Sequence, residues 1–291
     1  MRFLILIFGV FCCSTSVIFI KIGSTDPIVL SAYRTLLGGI LLIPFILQVK
    51  KTQRPPLKEL LKRAWPPAFF LGIHFISWII GARLTPSANA SLIVNMVPVV
   101  MPILLLLVLH ERISNVEALG TSVAILGVFL LGLVDFNLSP EHALGDAVCF
   151  LSMLFYAFYL IFARKNRDLS SVYLYVVPVY ILSGLFCLGI AGTLELSGKP
   201  VVWLGPNIRN EVISILGLAI VPTVFGHSII NWALRTIRGQ AVVIINLAQF
   251  IFAGLMGFIL LAEIPHTIFY ISSLLVVAGA IIVIRHAKTQ S

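Results

Sequence analysis

"SANASLIVNMVPVVMPILLLLVLHERIS", Ser87 to Ser114, is the stretch that decides the fold of this chain. Its apolar run is long enough to cross the hydrocarbon core of a bilayer, which takes about 20 residues. The run contains one amide, Asn95, and ends in the charged pair Glu111–Arg112. Because polar groups are costly at membrane depth, Asn95 needs a partner, a cavity or water. The stretch predicts a membrane helix that carries a polar group for a reason.

The whole chain shares this apolar character. Hydrophobic residues make up 59% of its 291 positions and charged residues 11%, with a mean hydropathy of +1.08. Soluble domains carry about 25% charged residues, so the composition predicts an integral membrane protein. The formal charge of +9 does not indicate nucleic-acid binding, because the basic residues cluster between apolar runs and so indicate topology. The four cysteines lie in apolar runs, without the spacing of metal ligands or of a disulfide framework.

Ten apolar runs, bounded by charged residues, Pro and Gly, have the length of membrane helices. They are continuous rather than alternating every second residue, which excludes a membrane β-barrel. We interpret the first run as a retained helix and not as a signal peptide, because no convincing small-x-small cleavage site follows it. The predicted runs are 3–22, 29–48, 65–83, 87–109, 116–133, 144–163, 173–194, 211–234, 240–261 and 266–284.

The basic residues predict the orientation. If the N-terminus is cytoplasmic, 15 of the 20 Lys and Arg residues fall on the cytoplasmic side, many of them in "KKTQRPPLKELLKR", which we interpret as a loop. This bias agrees with the positive-inside rule. The sequence therefore predicts a multi-pass protein of the plasma (inner) membrane with both termini in the cytoplasm.

The chain also contains an internal repeat. "LTPSANASLIVNMVPVV" resembles "RTIRGQAVVIINLAQFI", and "LLVLHERI" resembles "ILLAEI". Ten helices then divide into two halves of five, residues 1–138 and 139–291, and an odd number per half requires that the halves be inverted in the membrane. Inverted repeats place a site between them near the midplane. The residues paired at shifts of 151 and 152 are Thr85 with Thr236, Asn95 with Asn246, Glu111 with Glu263, and Gly127 with Gly279.

These segments resemble drug/metabolite transporters of the EamA type. "NWALRTIRGQAVVIINLAQFIFAGLMGFILLAEIP" matches the family pattern of an Ala-Leu pair, a small-residue helix start, an Asn-Leu pair and a Leu-x-Glu helix end. "DPIVLSAYRTLLGG" resembles the second helix of that family, with Arg34 as its arginine. The resemblance implies ten helices in two inverted repeats and movement of small metabolites, but no particular substrate. The proline that follows the family's Asn-Leu pair is present as Pro98, whereas the second half has Gln249.

Eight polar or aromatic residues at membrane depth are our candidates for binding a substrate. Imidazoles and amides both donate and accept hydrogen bonds, and aromatic rings provide flat walls with polar edges. The alternative is that they are structural, with the amides joined in ordinary interhelical hydrogen bonds. Asn231 is interpreted instead as a helix cap. The candidates are His74, Trp78, Asn95, Tyr156, Tyr159, His227, Asn246 and Gln249.

No Asp or Glu falls in the middle third of any predicted run, although ion-driven carriers commonly use a carboxylate there. His74 and His227 are therefore the candidates for proton coupling, because an unperturbed imidazole titrates near neutral pH. We expect structural roles for Arg34, Glu111, Glu263 and Pro222. The two Glu residues should pair or bind backbone N–H groups, Arg34 should bind carbonyls or extend outward, and Pro222 should kink its helix.

The sequence thus predicts a transporter of small metabolites, most simply an exporter of amino acids or related amphipathic compounds that works by alternating access. Import or exchange of another small metabolite stays open as an alternative. A membrane enzyme is disfavoured, because no HExxH, GxSxG or P-loop pattern is present and no catalytic residue, metal ligand or cofactor site is indicated. The predicted partners are a small-molecule substrate and the bilayer. Small residues at Gly120, Ala124 and Gly127 could pack within the chain or support a homodimer.

Overall fold

The computed structural model describes residues 1–138 and 142–289, and within these ranges the chain is helical and has no strand. A short 3-10 turn, Lys51–Gln53, precedes α4, and a π-helical segment, Ala219–His227, joins α10 to α11. The helices are α1 (Arg2–Ser14), α2 (Ser16–Ile22), α3 (Pro27–Leu47), α4 (Leu57–Leu84), α5 (Ser87–Val94), α6 (Val97–Leu109), α7 (Asn115–Leu138), α8 (Ala143–Lys165), α9 (Tyr173–Leu196), α10 (Ile208–Leu218), α11 (Ser228–Thr236), α12 (Gly239–Leu247), α13 (Gln249–Leu261) and α14 (Thr267–Thr289).

All ten predicted runs lie on helices. In the described ranges, nine stretches are long and apolar enough to cross a membrane, and four of them join two or more helical segments end to end. The remaining predicted run, 116–133, lies on α7, whose apolar part is Asn115–Leu130. The prediction of an all-helical membrane protein is confirmed. The predicted boundary between the halves, at 138/139, borders residues 139–141, which lie outside the described ranges.

One predicted loop is wrong in part. "LKELLKR" was assigned to the loop that joins the second and third runs, but α4 begins at Leu57, directly after Pro55 and Pro56. Proline disfavours helical backbone in the residue before it, which explains a sharp start here. The added turns are amphipathic, and Arg63 pairs with Glu59 one turn earlier at 2.8 Å. Hydropathy missed them because these turns lie beyond the continuous apolar run of α4.

Helices α6 and α13, which end the fourth predicted run of each half, have the same kind of C-terminus. His110 and Ala262, 152 residues apart, both adopt a left-handed backbone with φ of 55°. The amide of the glutamate that follows each of them bonds six residues back, Glu111 to Leu105 O and Glu263 to Gly257 O. This is a Schellman-type helix end, in which a left-handed residue satisfies the last carbonyls. Each of these spans is also broken near its amide, between α5 and α6 and between α12 and α13.

Helices from the two halves are interleaved. The most extensive helix contacts join α4 to α8, α7 to α14 and α3 to α9, so each pairs one helix of the first half with one of the second. The α7–α14 contact is close because Gly120 faces Gly279, and a Cβ added to Gly279 would clash with Gly120 O. Ala124 and Gly127 belong to the same contact. Of the two predicted uses of this small-residue stripe, packing within the chain is the one observed.

The outside of the bundle is apolar and its centre contains polar side chains. Leu107, Ile259 and Leu274 are each about 70% exposed, like many large apolar side chains around the helices. Arg34, His74 and Asn246 are at most 3% exposed. This is the reverse of a water-soluble protein, since lipid and not water surrounds the helices.

Candidate functional site

All eight predicted binding residues are buried, and they come from helices of both halves. His74 and Trp78 lie on α4, and Asn95 ends α5. In the second half, Tyr156 and Tyr159 lie one turn apart on α8. His227 ends the π-helical segment, Asn246 lies on α12, and Gln249 begins α13.

The aromatic part of the cluster is built around Tyr156. The His74 ring stacks on the Tyr156 ring, with centroids 4.6 Å apart, and the His227 ring meets Tyr156 edge-on at 5.7 Å. The two imidazole centroids are 6.4 Å apart. His74 Nδ1 also lies 2.9 Å from Ser152 Oγ. His74 is therefore held by protein partners on one edge, and the two histidines share one aromatic wall.

The amide part joins the two halves directly. Asn246 Nδ2 donates to Asn95 Oδ1 at 2.9 Å and to Tyr156 Oη at 3.3 Å, and Gln249 Nε2 donates to Asn246 Oδ1 at 2.5 Å. Asn95 Nδ2 donates to Ser91 O in its own helix. Asn95 and Asn246, which the sequence paired by the repeat, are thus in contact. Gln249, which stands where the first half has Pro98, adds a third amide.

Trp78 lies at the edge of this cluster, where it shares a hydrogen-bond partner with Arg34. Its Nε1 donates to Ser16 Oγ at 3.1 Å, and Arg34 Nη1 approaches the same oxygen at 3.4 Å. Arg34 is 0% exposed, so it does not extend outward as expected. Its Nε and Nη2 donate to Thr223 Oγ1 at 3.2 and 3.1 Å, and its guanidinium carbon lies 3.8 Å from the centre of the Phe75 ring. The predicted carbonyl partners are replaced by hydroxyls and a ring.

The π-helical segment supplies Thr223 and His227 to the centre. It contains Pro222, which has no N–H to give to the helix ladder. Such π-helical turns are rare and frequently lie at functional sites. His227 Nδ1 is buried and has no hydrogen-bond partner among the described residues. Pro222, which was predicted to kink its helix, lies within this π-helical segment, and the kink itself stays a prediction.

Asn231 was expected at a helix cap, but it lies inside α11 and belongs to the cluster. Its Nδ2 donates to Tyr159 Oη at 2.5 Å and to His227 O at 2.6 Å. The sequence also missed Ser16, Ser152 and Thr223. A single small hydroxyl residue in an apolar run has the same pattern whether it packs or faces a site, so no sequence signal marked them.

A half-open groove of about 530 Å³ lies beside the cluster, between α1, α3, the start of α9 and the π-helical segment. Leu41, Phe45, Tyr173 and Trp232 are among its apolar and aromatic walls. Ser228 lines it as well, and Ser228 Oγ lies 3.3 Å from Tyr180 Oη. The groove therefore borders a pair of hydroxyls, Ser228 and the buried Tyr180.

The carboxylates after the two equivalent helices lie at opposite ends of the bundle. Glu263 accepts from Lys21 Nζ at 2.6 Å and from the Ser87 backbone at the start of α5 at 2.8 Å. Glu111 follows α6, at the far end of that same span, and pairs with Arg167 at 2.7 Å and Arg164 at 3.3 Å. Neither carboxylate reaches the central cluster.

The pKa of the Glu263 carboxyl is affected by two opposing influences. Burial raises the pKa, and the hydrogen bonds from Lys21 and Ser87 lower it. The net direction is downward from the ordinary value of 4.5, because the charged form accepts these bonds. Glu263 is therefore held as a carboxylate at neutral pH.

A bundle of apolar helices around buried polar groups defines an integral membrane protein with an internal site. The family model of the EamA-like transporter family matches residues 2–133 and 143–285, and the chain belongs to that family. An uncharacterized transporter of Archaeoglobus fulgidus is 27% identical over 268 residues, which are 89% of each chain. A crystal structure of another protein has the same fold, with a TM-score of 0.74 at 16% identity and 98% of both chains covered. The chain is thus a membrane transporter by family.

Proposed function

We propose that this protein exports amino acids or related amphipathic compounds across the plasma (inner) membrane by alternating access. The observation that carries the proposal is the buried cluster around Tyr156, in which side chains from both halves meet within an apolar bundle. Polar groups at this depth are expensive and mark substrate pathways in membrane proteins. The family identifies a membrane transporter in general terms, and the cluster supports the finer assignment.

Two inverted repeats, residues 1–138 and 139–291, with both termini in the cytoplasm, provide the symmetry that alternating access needs. The repeated helix ends at His110 and Ala262, 152 residues apart, support a duplication. The contact between Asn95 and Asn246 supports a site on the pseudo-symmetry axis. The discontinuous spans α5–α6 and α12–α13 support movement there, because broken helices at membrane depth are tolerated where they line protein or a cavity. A homodimer would need a face other than the α7 stripe, which packs on α14.

The lining suits a neutral or zwitterionic solute with an apolar part. Rings of His74, Tyr156 and His227 offer flat surfaces with polar edges, and the amides of Asn246 and Gln249 can exchange bonds with each other for bonds with a solute. If a proton gradient drives transport, His74 and His227 are the groups to carry the proton, since they are the imidazoles of this cluster.

The test is transport by the purified protein in lipid vesicles against a panel of amino acids, with and without a pH gradient. We expect His74→Ala and His227→Ala each to slow transport by about tenfold or more, because each removes a ring from the shared wall. His266→Ala is the matched control, because His266 is exposed in the loop before α14 and should leave the rate within about twofold.

Unchanged transport in both variants would show that the site lies elsewhere. If no amino acid moves and none stabilises the protein against heat, the assignment to amino acids is wrong. Transport that ignores the pH gradient in the wild type would remove the proton role of both histidines and leave the site intact.

A further inference from the structure

Arg34, two turns into α3, is the largest fully buried side chain of the described residues. Its surroundings in the bundle are neutral. The guanidinium contacts two hydroxyl oxygens, Thr223 Oγ1 and Ser16 Oγ, and lies over the face of Phe75. A buried charge is costly unless it is paired, and an arginine is always charged. None of these contacts supplies a negative charge.

The hydroxyl partners do not satisfy this cation. A guanidinium has five N–H donors, and the contacts occupy three of them, the one to Ser16 being long at 3.4 Å. The Thr223 hydroxyl has no remaining hydrogen-bonding capacity. It donates to Leu218 O at 2.8 Å, and its oxygen already accepts from both Nε and Nη2 of Arg34. The centre of the protein is therefore short of one acceptor group with a negative charge.

A second polar group beside Phe75 lacks a partner altogether. The His227 ring meets the Phe75 ring edge-on at 5.1 Å, so Phe75 contacts both the guanidinium and this imidazole. His227 Nδ1 is buried without a hydrogen bond among the described residues, although buried ring nitrogens normally have one. Each Arg34 nitrogen thus has a hydroxyl partner but no carboxylate, and the His227 nitrogen has no partner.

We propose that Arg34 binds the carboxylate of the transported solute. Two of its N–H groups would grip the two carboxylate oxygens side by side, the geometry that makes arginine the usual partner of carboxylates. The apolar part of the solute then lies against Phe75, Trp78 and the Tyr156 wall. This inference rests on the proposed function and deepens it, since it names the chemical group by which the site would select its substrate.

The carboxylate would replace Thr223 as the partner of the guanidinium. Thr223 lies on the π-helical segment, so its release would free that segment from α3 while the solute is bound. The unused His227 Nδ1 lies on the same segment and could bond to the solute as the segment moves. Occupancy of Arg34 would in this way be linked to the irregular helix beside it.

A single negative charge fits better than a phosphate. Phosphate groups carry up to two charges and are usually held by several cations. Arg34 is the only Lys or Arg among the described side chains with a hydrogen bond or ring contact to Ser16, Phe75 or Thr223. A solute with a net positive charge and no carboxylate would be repelled by it. Amino acids and simple carboxylic acids are the class that the site would accept.

The experiment compares each acid with its amide. Wild-type protein in vesicles is loaded with radiolabelled L-phenylalanine or L-leucine, and unlabelled L-phenylalaninamide, L-leucinamide, 3-phenylpropionate and the parent acids compete. We expect the acids to compete at concentrations about tenfold or more below those of the amides. In Arg34→Gln the two curves should come together, and Arg34→Lys should keep part of the preference, because it retains the charge but not the side-by-side geometry.

Arg83→Gln is the matched control. Arg83 is an arginine at the end of α4 that is bound to the carbonyls of Gly23 and Thr25, away from the cluster. It should keep the preference for acids unchanged. The wild-type comparison needs no variant, so equal competition by acids and amides would overturn the proposal even where Arg34→Gln does not fold.

The possible outcomes separate the two proposals. Transport with acids and amides equally effective would overturn the role of Arg34 and leave the transporter of amphipathic solutes standing. A preference for acids that persists in folded Arg34→Gln would overturn it as well. If none of these solutes moves or competes, the proposed function fails first, and the carboxylate assignment fails with it.

Discussion

The contacts of Glu263 and of Glu111, at the two ends of the bundle, have the same arrangement but differ in strength. At each end, a cation binds both a backbone carbonyl of its own half and a glutamate of the other half. Lys21 Nζ bonds to Thr85 O and to Glu263, and Arg164 bonds to Ile237 O and to Glu111. Thr85 and Ile237 are 152 residues apart, and the repeat pairs Thr85 with Thr236, the residue next to Ile237.

The difference lies in what each glutamate holds. Glu263 binds one cation at 2.6 Å and also receives the first backbone N–H of α5, so it joins three helices. Glu111 makes its short contact with Arg167, whose side chain is 45% exposed, and its contact with Arg164 is longer at 3.3 Å. Exposed ion pairs contribute little. We infer that Glu263 holds its neighbours more firmly than Glu111 does.

Removal of the Glu263 carboxylate should destabilise the protein more than removal of the Glu111 carboxylate. Glu263→Ala leaves the Ser87 N–H without its acceptor and Lys21 with Thr85 O in place of a carboxylate, and it should lower the free energy of unfolding by about 1.5–3 kcal/mol. Glu111→Ala should cost about 0–1 kcal/mol, because Arg164 keeps its two carbonyls and Arg167 returns to solvent. Thermal unfolding in one detergent measures both. Equal losses, or a larger loss in Glu111→Ala, would contradict the ranking.

Acid should weaken the Glu263 end selectively. The pKa of the Glu263 carboxyl is lower in the folded protein than its ordinary value of 4.5, because Lys21 and Ser87 bind the charged form more than burial opposes it. A lowered pKa stabilises the fold above the unfolded value, and this stabilisation is lost as the pH falls through the folded value. The stability difference between the wild type and Glu263→Gln should therefore shrink below pH 4.5. A difference that stays constant throughout the acid range would count against this role.

Arg167→Ala should have the smallest effect. Its partner Glu111 keeps Arg164, and a surface pair of this exposure contributes about 0.5 kcal/mol or less, decreasing further in high salt. Unfolding at low and high ionic strength checks both statements. A loss as large as that of Glu111→Ala would show that Arg167, and not Arg164, makes the main contact of Glu111.

Much of the scaffold could be predicted. The ten helical segments follow from run length, and the Asn95–Asn246 and Glu111–Glu263 correspondences follow from the repeat, because duplication preserves residue type and spacing. The eight candidates were found together because polar groups at membrane depth are rare enough to stand out. The same logic misplaced Asn231, since position along a helix does not tell which neighbour it faces.

The start of α4 and the surroundings of Arg34 could not be predicted from run length, hydropathy or the repeat. The first turns of α4 continue past the apolar run as an amphipathic helix, and hydropathy detects only the run. For Arg34, the expected partners were carbonyls or water near one membrane surface. Its actual partner, Thr223, is 189 residues away on a π-helical segment that no residue pattern indicated.

The sequence by itself predicted about ten membrane-spanning helices and two related halves, and it located the polar residues within the apolar runs. These are properties of local composition and spacing, and the bilayer converts apolar runs directly into helices. Only the tertiary structure decided that Arg34 is enclosed without a carboxylate, that His227 has an unused nitrogen and that Glu263 and Glu111 are bound differently. Burial and pairing depend on contacts between residues far apart in the chain, and such contacts exist only once the helices have packed.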